Sequence, residues 1–92
     1  MSDSNPPFAP EIVRLRRLRY RATHRGSYEC DLLLGGYVTA HIATMDAATL
    51  DALEEVMELP DSDLAEWLTG REDIPEHMAT PLLLQIRAAA QK

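Results

Sequence analysis

Apolar residues recur at helical spacing in five separate stretches of this chain. Ile12, Leu15, Leu18 and Ala22 form one stripe and predict a helix from Glu11 to about Thr23. Pro10 and Glu11 suit its start, because proline fixes a helical φ and an acid complements the N-terminal dipole. Gly26 ends it. A second helix begins near Ser27, an acceptable N-cap, with Glu29 and Asp31 in its first turn. It reaches about Tyr37 or beyond and turns Cys30, Leu33, Leu34 and Tyr37 inward. Gly35 and Gly36 weaken its end. The stretch from Val38 to Thr44 is β-branched enough for a strand. Nothing nearby offers a pairing strand, so a helix tail or an irregular connector is the preferred reading.

The third helix is expected from Asp46, a candidate N-cap, to Met57, with Leu50, Leu53 and Met57 buried. Pro60 ends that segment. Asp61 or Ser62 caps a short fourth helix that carries Leu64, Trp67 and Leu68, and Gly70 terminates it. Arg71 to Ala79 reads as a loop. Thr80 followed by Pro81 is a start signal for a fifth helix, which covers Leu82 to about Ala90 with Leu83, Ile86 and Ala90 on one side. The expected fold is all-α, a compact bundle of about five short helices. Residues 11–92 form its single domain, behind a flexible N-terminal segment of residues 1–10 rich in proline and polar side chains.

Composition narrows the functional classes. A chain of 92 residues has room for one modest helical core and little room for a deep active-site cavity. No apolar run approaches the length of a membrane span. Met1 to Pro7 lacks the basic, apolar and small-residue sections of a secretory signal. A soluble cytoplasmic protein is the expectation, with no membrane partner. Cys30 is the lone cysteine, so no internal disulfide forms. His24, His41 and His77 lie on different segments, and no pair has metal-ligand spacing, so no metal site is expected.

The formal net charge is −6, yet the charges are segregated along the chain. Arg14, Arg16, Arg17, Arg19, Arg21 and Arg25 fall in one segment with no acid among them. Asp46 to Glu76 is dominated by carboxylates, with Arg71 the only base there. The arginine helix has three readings: a solvated face partly neutralised by the acidic helices, a surface that docks an acidic protein, or a nucleic-acid contact. The acidic overall charge and the absence of a nucleic-acid-binding motif weigh against the last.

Enzymatic signatures are missing. There is no phosphate-cradling glycine loop and no nucleophile elbow. Ser27, Cys30 and His24 lie close in sequence, but Cys30 falls on the apolar face of the second helix and no third group orients a base. No catalytic residue is assigned, and the chain is read as a non-enzyme.

The remaining feature is the corner between the first two helices. Arg19, Tyr20, Arg21, Arg25, Gly26, Tyr28, Glu29 and Asp31 gather there. Gly26 as a helix terminator and Glu29 as a first-turn acid each have a structural explanation. The concentration of binding-type residues favours a protein-docking surface. Arg25 offers a planar fork of donors, Glu29 a carboxylate one turn along, and Gly26 lets another surface approach.

The stretch from Leu18 to Gly35, LRYRATHRGSYECDLLLG, resembles the SdhE family of flavinylation factors, relatives of the mitochondrial succinate dehydrogenase assembly factor. The family hallmark is an arginine–glycine pair with a glutamate three residues after the glycine, matched by Arg25, Gly26 and Glu29. An aromatic five residues before the arginine is matched by Tyr20, and an acid two residues after the glutamate by Asp31. Met57 to Leu68, MELPDSDLAEWL, is similar to the family's acidic turn followed by leucine and tryptophan. Ser27 and Tyr28 depart from the common pattern of methionine or threonine followed by a basic residue. The resemblance extends over roughly residues 11 to 90.

It implies a five-helix bundle that binds the flavoprotein subunit of succinate dehydrogenase, and in some cases of fumarate reductase. Such factors promote covalent attachment of FAD to a histidine of that subunit and hold no cofactor stably themselves. Arg25, Gly26 and Glu29 are then expected to contact the partner or fix the corner's shape, supported by Tyr20 and Asp31 and flanked by Arg19 and Tyr28. The alternatives are a nucleic-acid-binding regulator using the arginine helix, and a small flavin-handling protein, for which the chain offers no dinucleotide fingerprint.

Overall fold

A computed structural model describes residues 10–91. Among them are five α-helices: α1 (Pro10–Thr23), α2 (Tyr28–His41), α3 (Ala47–Met57), α4 (Asp61–Leu68) and α5 (Pro81–Ala90). Short 3-10 turns cover Ile42–Thr44 and Glu76–Met78. The all-α expectation holds. The expected flexible segment lies outside the described residues, apart from Pro10, which opens α1.

Three caps follow the sequence signals. Ser27 Oγ accepts from the Cys30 N–H at 3.4 Å. Asp46 Oδ1 accepts from the Thr49 N–H at 2.8 Å, and Thr80 Oγ1 from the Leu83 N–H at 3.2 Å. Each satisfies one of the orphan donors at a helix start. Hydrogen bonding from the Thr49 hydroxyl, and then from its N–H, holds the Asp46 carboxyl below its ordinary pKa. The fourth start differs from expectation. Pro60 occupies the N-cap of α4 without a side-chain cap bond, and Asp61 is already helical. The Asp61 carboxylate is instead turned toward α1 and α2, where Arg25 holds it.

α2 is the central element and packs against α1, α4 and α5. α1 also meets α3, while α3 and α4 both rest on α5. Leu18 and Ala22 of α1, Cys30, Leu34 and Val38 of α2, Leu53 of α3, Leu64 and Leu68 of α4, and Leu83 and Ile86 of α5 are buried together. Trp67 is buried with them, as its spacing with Leu64 and Leu68 implies.

Two details refine the pattern. Burial deepens along α1, from an exposed Ile12 through Leu15 to the buried Leu18 and Ala22, so the first turn of α1 runs past the core. The helix also continues through Gly35 and Gly36 to His41. Gly35 lies against α1: a Cβ there would come within 3.0 Å of the Ala22 carbonyl oxygen and of Thr23 Cγ2. Its missing side chain permits the close approach of α1 and α2. That contact, with Val38 buried beyond it, offsets the low helix propensity of the glycine pair.

Candidate functional site

The corner between α1 and α2 is built from backbone bonds outward. Thr23 Oγ1 donates back to the Arg19 carbonyl at 2.9 Å, near the end of α1. His24 Nδ1 lies 3.0 Å from the Tyr20 carbonyl oxygen, and its ring stacks on Tyr20 with centroids 4.0 Å apart. Gly26 then takes φ +90°, a left-handed conformation that side chains with a Cβ resist. Ser27 restarts the chain as α2. The Asp31 N–H donates to the Ser27 carbonyl at 2.8 Å, and Asp31 Oδ1 accepts from the Arg25 N–H at 2.6 Å.

Arg25 faces inward. Its side chain is only 11% exposed. Nε donates to Asp61 Oδ1 at 2.6 Å, one Nη to the Met57 carbonyl at 2.9 Å and the other to the Leu59 carbonyl at 2.7 Å. Met57 is the last residue of α3, so a cation here satisfies a C-terminal carbonyl and complements the α3 dipole. The planar fork of Arg25 thus ties the α1–α2 corner to the α3–α4 turn. Cys30 adds to this seam, its thiol 3.4 Å from the Asp61 carbonyl oxygen. Burial pushes the Cys30 thiol pKa up, which favours the unreactive thiol over the thiolate.

Glu29 turns sideways. Its two carboxylate oxygens accept from both Nη atoms of Arg71, at 3.0 and 3.1 Å. Arg71 also donates from Nε to Glu66 at 3.2 Å. Hydrogen bonding to Arg71 holds the Glu29 carboxyl below its ordinary pKa, and the two carboxylates raise that of the guanidinium. Both partners are close to half exposed, so the pair is open to competition from solvent and ligands.

The other site residues face outward. Tyr20 is 63% and Tyr28 81% exposed. Arg19 and Gly26 are exposed, and a Cβ built on Gly26 would meet nothing within 4 Å. Of the eight residues gathered at this corner from sequence, Arg21 turns to Glu58, and the other seven do different work. Arg25 and Asp31 fix its shape. Arg19, Tyr20, Gly26 and Tyr28 are presented to solvent, and Glu29 sits between these roles.

Asp61 and Arg71 were not singled out, although both hold site residues. Arg71 carried a signal, as the lone base in an acidic stretch. Asp61 carried none, because a carboxylate at a helix start already has a local use. Leu32, 56% exposed one turn after Tyr28, extends the outward face along α2.

A shallow recess of about 350 Å³ lies beside the corner, lined by Tyr20, Arg21, His24, Arg25, Pro60 and Asp61. Among the described residues, no group of three or more His, Cys, Asp or Glu side chains is placed to hold a metal ion. None of the described helices is long and apolar enough to cross a membrane.

Residues 16–90 match the family model described as flavinator of succinate dehydrogenase. The chain belongs to this family. The two sequence blocks that carry the family resemblance, around Arg25 and from Met57 to Leu68, meet in the fold through the Arg25 bonds. Over 71 residues the chain is 50% identical to the FAD assembly factor SdhE of Acetobacter pasteurianus, covering 77% of this chain and 65% of that protein. It is 38% identical over 66 residues to the mitochondrial succinate dehydrogenase assembly factor 2 of Arabidopsis thaliana, covering 72% and 35%. The corresponding protein of Dictyostelium discoideum is 34% identical over 74 residues, covering 79% and 52%. The chain thus spans between about a third and two thirds of the length of these flavinator-family relatives. No solved structure matches it.

Proposed function

We propose that this protein is an assembly factor that binds the flavoprotein subunit of succinate dehydrogenase and promotes covalent attachment of FAD to a histidine of that subunit. The flavoprotein of fumarate reductase is a second client of the same kind. The protein works in the cytoplasm, as a chaperone rather than an enzyme. The flavin and its target supply the linkage chemistry. This chain contributes position: it holds the flavoprotein so that histidine and flavin meet in a reactive geometry, which proximity rewards strongly. No cofactor is held stably by the factor itself.

The observation that carries this reading is the construction of the corner. Arg25 spends its donors on Asp61, Met57 and Leu59, so the hallmark arginine braces a rigid platform. That platform presents Gly26, Tyr28 and one edge of Glu29. A preorganised surface with an exposed tyrosine and a side chain-free backbone segment suits docking against a folded partner.

In-gel flavin fluorescence of the denatured flavoprotein subunit tests the proposal, because denaturation leaves only covalently bound flavin on the band. Deleting the gene should dim the band and the wild-type gene should restore it. A gene carrying Gly26→Arg should leave it dim. A band of unchanged brightness in the deletion strain would refute the role.

A further inference from the structure

Glu29 is held by a residue far away in the chain. It stands in the first turn of α2, and Arg71 follows the end of α4, 42 residues later. The turn that carries Arg71 is itself fixed. Gly70 takes φ +82°, a left-handed exit from α4. The Gly70 N–H donates to the Trp67 carbonyl at 3.2 Å, and the Glu72 N–H to the Glu66 carbonyl at 3.0 Å. From beyond α5, Gln91 Nε2 donates to the Leu68 carbonyl at 2.8 Å. Arg71 thus projects from a turn bonded on both sides of it. Its Nε donates to Glu66 at 3.2 Å, while its two Nη atoms grip the two oxygens of Glu29. Such a fork sets both the position and the plane of a carboxylate, which a point charge does not.

Folding stability does not account for this construction. Arg71, Glu29 and Glu66 are 48%, 43% and 38% exposed, and ion pairs so placed contribute little to stability. The consequence for docking is larger. A glutamate left free on a surface samples many rotamers, and a partner that binds it must suppress them. Arg71 removes that freedom beforehand. The fork occupies one side of the carboxylate, and the lone pairs on the other side remain able to accept from a further donor. Two carboxylates around one guanidinium also keep a net negative charge, which favours a donor there over an acceptor.

We propose that Arg71 is a positioning residue for docking: braced by Glu66, it holds the Glu29 carboxylate in the orientation that accepts an N–H or O–H group of the flavoprotein. This inference rests on the proposed function and adds to it a residue outside both blocks of family resemblance.

The test is a double-mutant cycle, read by calorimetric titration of the full-length factor into the apo flavoprotein subunit of succinate dehydrogenase. Glu29→Gln should weaken binding about thirtyfold and Arg71→Ala about tenfold. In the Glu29→Gln background, Arg71→Ala should add less than about twofold, because no carboxylate remains to be positioned. Arg71→Lys keeps the charge and loses the fork, and should weaken binding about threefold, again only while Glu29 is present. Thermal melts of these variants should stay close to that of the wild type, which separates lost docking from lost folding. Arg71→Lys carries the cycle by itself if Arg71→Ala melts early.

A loss that persists undiminished in the Glu29→Gln background would overturn the inference and make Arg71 a contact in its own right. Tighter binding by Arg71→Ala would also overturn it, since Arg71 would then compete with the partner for Glu29. Unchanged binding by either single variant, beside a wild type that binds and a Gly26→Arg variant that does not, would overturn the inference and leave the proposed function standing. A wild type that does not bind the flavoprotein would overturn both.

Discussion

Arg25 and Arg19 sit six residues apart, yet one belongs to the inner seam of the corner and the other to its rim. At the seam, Arg25 has a carboxylate and two carbonyls within 2.9 Å and little solvent. At the rim, Arg19, Tyr20, Gly26 and Tyr28 stand in water. On the proposed function, the lesson is that a docking motif need not be made of contacting atoms alone. The seam holds the shape of the corner, and on the proposed function the rim would meet its partner without first being ordered.

The sharpest way to break the distinction is Arg25→Ala. It leaves two carbonyls and Asp61, itself a third exposed, without their donor, and should cost about 3 kcal/mol of unfolding free energy. Urea denaturation should show that loss, and docking should fail with it. A variant of wild-type stability that lost docking alone would place Arg25 on the rim instead.

Gly26→Arg should separate the two regions from the other side. Its positive φ makes a side chain cost about 1–2 kcal/mol, while open space around it avoids any clash within the fold. The bundle should remain folded by circular dichroism, and binding to the flavoprotein should fall by at least about a hundredfold.

The glycine pair of α2 provides a matched contrast further along. Gly35→Val should destabilise by about 2 kcal/mol, because its Cβ would press on the backbone of α1. Gly36→Ala faces nothing within 4 Å and should stabilise by about 0.5–1 kcal/mol through helix propensity. Paired thermal melts would check both signs.

The smallest effect belongs to Glu29, which lies between seam and rim. Arg71 lowers its pKa in the fold below the ordinary 4.5. Its contribution to stability is therefore complete above pH 4.5 and disappears as pH falls through the lower folded value. Glu29→Gln should leave stability at neutral pH little changed and flatten its decline in acid. An identical acid limb in the variant would show that the ion pair contributes nothing measurable, as exposed pairs sometimes do.

Much of this was legible in the chain. Helix starts were readable where a side chain makes its own cap, as at Ser27, Asp46 and Thr80, because the bond spans three residues. The start of α4 was misread because Asp61 has two possible uses, and the tertiary one prevails. The corner was found as a concentration of binding-type residues, but the division of labour within it was not, since Arg25 and Arg19 are the same residue type.

The sequence by itself determined the five helices and the buried faces of most of them. Periodicity, caps and glycines act over a few residues, and such interactions are written in local order. Tertiary structure decided which arginines are braces and which stay exposed. It paired Arg25 with Asp61 across 36 residues and Arg71 with Glu29 across 42. Those choices depend on which carboxylates and carbonyls the packed helices bring within 3 Å. Distance in space sets the strength of a charged hydrogen bond, and no local pattern encodes it.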